Sequence, residues 1–417
     1  MSKQIVLSSF IFCMLPCISQ TKNISCRING NIIDYPECTQ ILIYKERSDL
    51  RIDRCDTINV ADGHFYYNLT TNDTEPVYEL CPANEYVSGS WRNAIFFAED
   101  GIINITINKG DKGIIVESGA PLNAEYLKFE KEAKKEIFDN VYKLENLLEE
   151  HNLMYTQEAL ELRKQMHNTD NKQILDSLNA KIRQLAQQNK INTPASVALE
   201  AAWEEAFRRY NDKALAYAET NITPVGLYLL KKSTYIVGKA PEETVISKIS
   251  DIINNHYIVK YPNHPTGKYI NNWISSHRIK PGGRFIDFTA PDLYGKNHTL
   301  SNEISGKVAL IDFWASWCGS CRTLSKSMIP IYELYKNRGF TIVGIARERD
   351  ADNMKKAIVK DGYPWLNLIE LRDRAQIWDK YGIGQSGGST VLVDRQGKIL
   401  AIRPSAEEVK AFLEKEL

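Results

Sequence analysis

A chain of 417 residues, 43% hydrophobic and 25% charged, is too long for one ordinary core and has the composition of a globular protein with roughly two or three domains. Lys plus Arg and Asp plus Glu each number 52, so the formal net charge is zero. No basic tract is interleaved with aromatics, which excludes nucleic acid as an expected partner.

The chain opens Met1-Ser2-Lys3, then runs apolar from Ile5 to about Cys17 and continues into small residues. That layout predicts a cleaved secretory signal over residues 1–19, with a core too short for a comfortable membrane span. Lipidation at Cys17 and an uncleaved anchor are the alternatives, and Met14-Leu15-Pro16 makes a poor lipoprotein box. The expected location is the periplasm or cell envelope. Cys26, Cys38, Cys55 and Cys81 form an early cluster. In an oxidising compartment they are expected to make two structural disulfides, in any of three pairings.

Residues 20–120 read as β structure. Short β-rich runs cover Ile41–Tyr44, Ile58–Val60, His64–Tyr67, Val77–Leu80, Ala94–Phe97 and Ile102–Ile107. Asp62-Gly63 and Asp100-Gly101 between runs predict hairpin turns. Regular short strands imply an all-β, sandwich-like domain. Residues 121–280 change character. Tyr126, Phe129, Ile137, Val141, Leu144 and Leu148 recur at helical spacing, and Thr193-Pro194 and Thr223-Pro224 look like helix starts. This central region is expected to be all-α. Its charged runs read as solvated faces, and Trp203, Phe207 and Tyr210 as core.

Lys280-Pro281-Gly282-Gly283 is the clearest linker. Over residues 284–417 strands and helices alternate. Val308–Trp314, Phe340–Ile345 and Trp365–Leu371 read as strands, with helices over Arg322–Asn337, Ala351–Lys360 and Arg374–Tyr381. Thr390–Val393 and Ile399–Ile402 form a hairpin across Gln396-Gly397. A last helix starts with a capping box, Ser405 and Glu408. The pattern implies an α/β fold with a central mixed sheet.

Trp317-Cys318-Gly319-Ser320-Cys321-Arg322 lies at a strand-to-helix junction in this region. Two cysteines separated by two residues close a small disulfide ring. The first would sit at a helix N-terminus, whose partial positive charge favours the attacking thiolate. Half of a zinc site or an inert disulfide are the alternatives. Zinc needs two more ligands, and neither cysteine nor histidine follows Cys321. No metal or cofactor is therefore expected.

The C-terminal region resembles the thioredoxin superfamily, and within it the exported TlpA/ResA-like thiol-disulfide oxidoreductases. Phe288-Thr289-Ala290-Pro291-Asp292-Leu293, Gly306-Lys307-Val308 and Asp312–Arg322 carry the resemblance, with Tyr381-Gly382-Ile383, Leu392-Val393-Asp394 and Gly397-Lys398. The preceding β domain and helices also resemble the N-terminal region common before such domains, through Cys55-Asp56-Thr57, Asp62–Phe65 and Gly119–Asn123. The resemblance implies that Cys318 is the nucleophile and Cys321 the buried resolving cysteine. It makes Asp312 the buried carboxylate under the site, its pKa raised, exchanging a proton with Cys321 through water. Trp314 and Trp317 would wall the site, and Trp317 and the Gly388 loop would meet the substrate. The implied partners are a protein disulfide or thiol and a membrane-linked electron donor.

Three features depart from the family pattern. Gly388, in Gln385-Ser386-Gly387-Gly388-Ser389, stands where a cis-proline is usual. Ser320 replaces the common proline between the cysteines, and Pro330 falls later in the following helix than the usual kink. The Gly388 change motivates a second reading, a non-catalytic binding or scaffold protein with a degenerate C-terminal domain. A peroxidase-type cysteine site is excluded, because Ala315 and Ile311 stand where that chemistry needs Thr and Pro.

Overall fold

The computed structural model describes residues 23–417 apart from 47, 49, 51–52, 54, 73–75, 111–112, 238–240, 373 and 385–386. The segment read as a secretory signal lies outside the described residues.

The N-terminal domain packs two four-stranded sheets. Strands β1 (Ile24–Ile33), β4 (His64–Thr71), β7 (Gly101–Asn108) and β8 (Ile114–Glu117) form one, in the order β4-β1-β7-β8. Strands β2 (Gln40–Lys45), β3 (Asp56–Asn59), β5 (Val77–Pro82) and β6 (Ala94–Phe97) form the other, in the order β3-β2-β5-β6. Alternate residues such as Ile28, Ile41, Phe65, Leu80, Phe96 and Ile105 point into the shared core. Asp62-Gly63 is a two-residue hairpin turn closed by the antiparallel Ala61–His64 bridge, and Asp100 bends the chain just before β7. Each carries the chain from one sheet to the other, because β3 and β4, like β6 and β7, belong to different sheets. A short helix, α1 (Ala83–Ser88), follows β5.

The expected structural disulfides are absent: Cys26, Cys38, Cys55 and Cys81 are all free thiols. Three of them are buried, with Cys26 on a strand of one sheet and Cys81 on a strand of the other. They serve as small apolar side chains, a role in which cysteine is among the most buried residue types. Burial raises the thiol pKa of Cys38 and of Cys81 to about 11, so neither is primed as a thiolate.

The central region is helical: α2 (Pro121–Ala133), α3 (Asp139–Glu150), α4 (Gln157–His167), α5 (Lys172–Gln187), α6 (Pro194–Thr220), α7 (Pro224–Ile236), α8 (Glu243–Ile252), α9 (Ile258–Lys260) and α10 (Pro265–Ser276). Thr193 and Thr223 cap α6 and α7 through their side chains, each followed by proline at the first turn. Buried aromatics knit the helices to the β domain, with Phe97 against Tyr126 and Tyr228 at ring distances of 5.6 Å. Glu46 accepts from Lys231 at 3.0 Å and from Tyr235 at 3.0 Å across the same boundary.

The C-terminal domain opens with β9 (Thr289–Pro291), β10 (Asn297–Thr299) and α11 (Leu300–Glu303). Its main elements are β11 (Val308–Trp314), α12 (Gly319–Tyr335), β12 (Phe340–Glu348), α13 (Ala351–Asp361) and β13 (Leu366–Leu371). Next come α14 (Ile377–Lys380), β14 (Ser389–Val393), β15 (Ile399–Ile402) and α15 (Ala406–Glu416). The sheet order is β13-β12-β11-β14-β15. Strand β11 is central, parallel to β12 and antiparallel to β14, and buried along its whole length. Ala309, Ile311 and Phe313 face one core, with α11 and α14. Val308, Leu310 and Trp314 face the other, with α12, α13 and α15. The helix expected over Arg374–Tyr381 is reduced to α14, because Gln376 adopts a positive φ of 53°. Asn272 of α10 donates to Gln376 at 3.1 Å and ties this domain to the helical region.

Candidate active site

The site is built where β11 ends and α12 begins. Trp314 is the last strand residue, and Cys318 is the N-cap of α12. The Cys318 Sγ accepts the backbone N–H of Cys321 at 3.3 Å. One of the orphan donors at the helix start is thereby aimed at the sulfur, with the helix dipole behind it. Cys318 and Cys321 are joined in a disulfide, their Cα atoms 5.3 Å apart.

The loop between strand and helix is pinned on both sides. The Ser316 amide and hydroxyl both donate to Glu348, the hydroxyl at 2.9 Å. Glu348 ends β12, is 1% exposed, and has a pKa raised by burial. Arg322, directly after Cys321, makes a two-pronged pair with Asp361 at 2.6 and 2.9 Å and also donates to the Ser316 carbonyl at 3.2 Å. The pair holds Asp361 below its ordinary pKa.

Asp312 sits mid-strand on the α12 side and is 3% exposed. Its carboxylate accepts from Ser325 at 2.6 Å. Burial pushes its pKa up to about 7, and the Ser325 bond offsets part of that rise. The Ser325 hydroxyl also lies 3.0 Å from the Cys321 carbonyl, so one side chain spans the carboxylate and the helix turn carrying the second cysteine. Thr390 is paired with Asp312 across β14, and its buried hydroxyl has no hydrogen-bond partner. Beyond Ser325, Tyr363 donates to Asp361 at 3.1 Å.

The sequence-predicted residues converge here, with two changes of detail. Cys321 is not the more buried cysteine: Cys318 is 6% exposed, whereas Cys321 is half-buried. Cys318 sits over the core formed by Phe313 and Ala315, while Cys321 lies between the two cores of the domain. Trp314 does not wall the site. It is fully buried, donates to Asn367 at 3.0 Å, and packs edge-on against Tyr363. Trp317 is half-buried against the core beneath the cysteines.

Gly388 lies directly against the pair. Its backbone N–H donates to the Cys321 Sγ at 3.2 Å, and among the described residues no peptide bond is cis. A Cβ at this position would fall 1.8 Å from the Phe313 carbonyl oxygen and 3.0 Å from the Cys321 Sγ, so a side chain has no room. Sequence reasoning did not single out Ser325, Glu348 or Asp361. The signal for Ser325 was present, since it stands one turn after Cys321 on the face that also carries Met328.

Residues 281–402 match the AhpC/TSA family, and residues 26–126 match a domain of unknown function, DUF4369. The thiol-disulfide oxidoreductase ResA of Geobacillus thermodenitrificans is 28% identical over 149 residues, 35% of this chain and 83% of that protein. The thiol:disulfide interchange protein DsbE of Allochromatium vinosum is 29% identical over 116 residues, 27% of this chain and 60% of that protein. Among solved structures, the thioredoxin domain of a thiol-disulfide oxidoreductase from Bacteroides vulgatus is 31% identical, covering 33% of this chain and 96% of that one, with a TM-score of 0.30. Through its C-terminal domain the chain belongs to the thioredoxin superfamily, in the TlpA/ResA-like branch.

Proposed function

We propose that the protein is a thiol-disulfide oxidoreductase of the cell envelope that exchanges disulfides with partner proteins through Cys318 and Cys321, acting as a reductase. One observation carries the reading. The Cys318 sulfur caps α12 and accepts a backbone N–H, within a disulfide to Cys321 and above a buried carboxylate. That environment favours the thiolate at Cys318.

In the reducing direction the Cys318 thiolate attacks one sulfur of a partner disulfide. The partner's second sulfur leaves as a thiolate and takes a proton from solvent. Cys321 gives its proton to Asp312 through water and attacks Cys318. The mixed disulfide breaks, the reduced partner leaves, and the Cys318–Cys321 disulfide forms. A membrane-linked donor supplies the two electrons that return the pair to dithiol. Asp312 suits the proton exchange because its pKa near 7 lets it hold or release a proton at neutral pH.

The scaffold reading is the weaker one. It rested on Gly388, and a glycine seated against Cys321 through an N–H···S contact is a fitted part of the site. The test is trapping. Cys321→Ser in the producing cells should accumulate partner proteins disulfide-linked to Cys318, with none in Cys318→Ser. Trapping by Cys318→Ser instead would reverse the roles of the two cysteines. No adduct with either variant, together with no exchange on a model disulfide, would remove the enzyme reading.

A further inference from the structure

The loop before β14 does more than close over the cysteines, because its backbone presents a donor to the second sulfur. Each sulfur of the disulfide receives one amide: Cys321 N–H reaches Cys318 Sγ at 3.3 Å, and Gly388 N–H reaches Cys321 Sγ at 3.2 Å. A proline at 388 would have no N–H to give. Any side chain there would drive into the Phe313 carbonyl, 1.8 Å from the Cβ position, and would press on Cys321 Sγ as well. Glycine is thus the residue that lets the backbone come this close while keeping its donor.

We propose that the Gly388 N–H is a catalytic group that stabilises the charge on Cys321 Sγ whenever that sulfur is a thiolate, and so speeds reopening of the Cys318–Cys321 disulfide. The proposal rests on the thiol-disulfide exchange reading and assigns its second sulfur a donor. In the step concerned, a donor thiolate attacks Cys318 Sγ. A new S–S bond forms between donor and Cys318, the Cys318–Cys321 bond breaks, and the electron pair leaves on Cys321 Sγ. A second donor thiol then displaces Cys318, so the donor is oxidised by two electrons and both cysteines are reduced. Negative charge on Cys321 exists in the transition state and product but not in the starting disulfide. A fixed N–H aimed at that atom therefore favours the transition state over the ground state. In the opposite step the same N–H raises the thiolate fraction of Cys321 for its attack on the mixed disulfide.

The test is the rate at which dithiothreitol reduces the oxidised full-length protein, followed by stopped flow, for wild type and Gly388→Pro. A hydrogen bond to a charged sulfur predicts a rate about tenfold or more lower in the variant. Equal rates, with wild type reacting readily, would overturn the role of Gly388 alone. A wild type no more reactive than free cystine would sink the exchange reading and this role with it. Because proline can also reshape the loop, a second measurement uses Cys318→Ser, in which Cys321 is the lone site thiol. There the Gly388 amide proton resonance should shift with pH at the same midpoint as alkylation of Cys321. An amide resonance that stays flat while Cys321 ionises would overturn the proposal without reference to the proline variant.

Discussion

Replacing Asp312 by asparagine tests the electrostatics beneath the site. In the folded protein the carboxyl titrates near 7, against an ordinary value of 3.8, because β11 holds it away from water. The native state therefore keeps a proton over a range where the unfolded chain has lost it. Its stability is greatest below the unfolded value and falls as pH climbs towards 7. About three pH units at roughly 1.4 kcal/mol each give about 4 kcal/mol lost by pH 8. The asparagine side chain carries no charge at any pH and can still accept from Ser325. Asp312→Asn should gain on wild type by about 4 kcal/mol at pH 8 and only about 2 kcal/mol at pH 5, apart from a constant offset. Pulse proteolysis in urea, scored by mass spectrometry on peptides from β11 and β12, reads this domain alone. The same substitution should remove any inflection near pH 7 from the rate at which Cys321 resolves a mixed disulfide. Parallel stability curves for the two proteins between pH 5 and 8 would refute the reasoning, since Asp312 would then ionise in the fold as it does in water.

Ser325→Ala removes the hydroxyl that offsets burial at Asp312, so the pKa of Asp312 should climb further and the pH–rate inflection should move alkaline; an acid shift would contradict the contact at 2.6 Å. Glu348→Ala leaves the Ser316 amide without its acceptor and should cost about 1–3 kcal/mol, seen as a lower urea midpoint together with a changed Cys318 alkylation rate. Alkylation of the denatured, unreduced protein should label Cys26, Cys38, Cys55 and Cys81 and spare Cys318 and Cys321. Peptides disulfide-linked among the first four would restore the expectation drawn from their clustering.

Much of the site was legible because its chemistry is local. Cys318 and Cys321 lie within one helical turn, so their spacing was readable, while the resemblance to the thioredoxin superfamily pointed to Asp312 on the strand that feeds that helix. The capping box of α15 was legible for the same reason, with Ser405 and Glu408 three residues apart. The errors came where distant segments decide. Clustering in sequence says nothing of which sheet a cysteine joins, and Cys26 and Cys81 sit in different ones. The hairpin at Asp62-Gly63 was readable, and the Ala61–His64 bridge closes it, but which sheets β3 and β4 join was not. The sign of the Gly388 change was likewise hidden. A lost proline reads as a lost feature until β14 places the amide against Cys321. Glu348 and Asp361 act on the site from β12 and α13, at separations no motif spans.

The central claim is that Cys318 and Cys321 interconvert between dithiol and disulfide as one working couple. Equilibration of the purified protein in graded thiol-disulfide buffers, read by mass after acid quench and alkylation, tests it most directly. The expected result is a reversible two-electron curve, with a tenfold change in ratio for about 30 mV, that disappears in Cys318→Ala. A disulfide that stays closed across every buffer, or a curve that persists in Cys318→Ala, would contradict it.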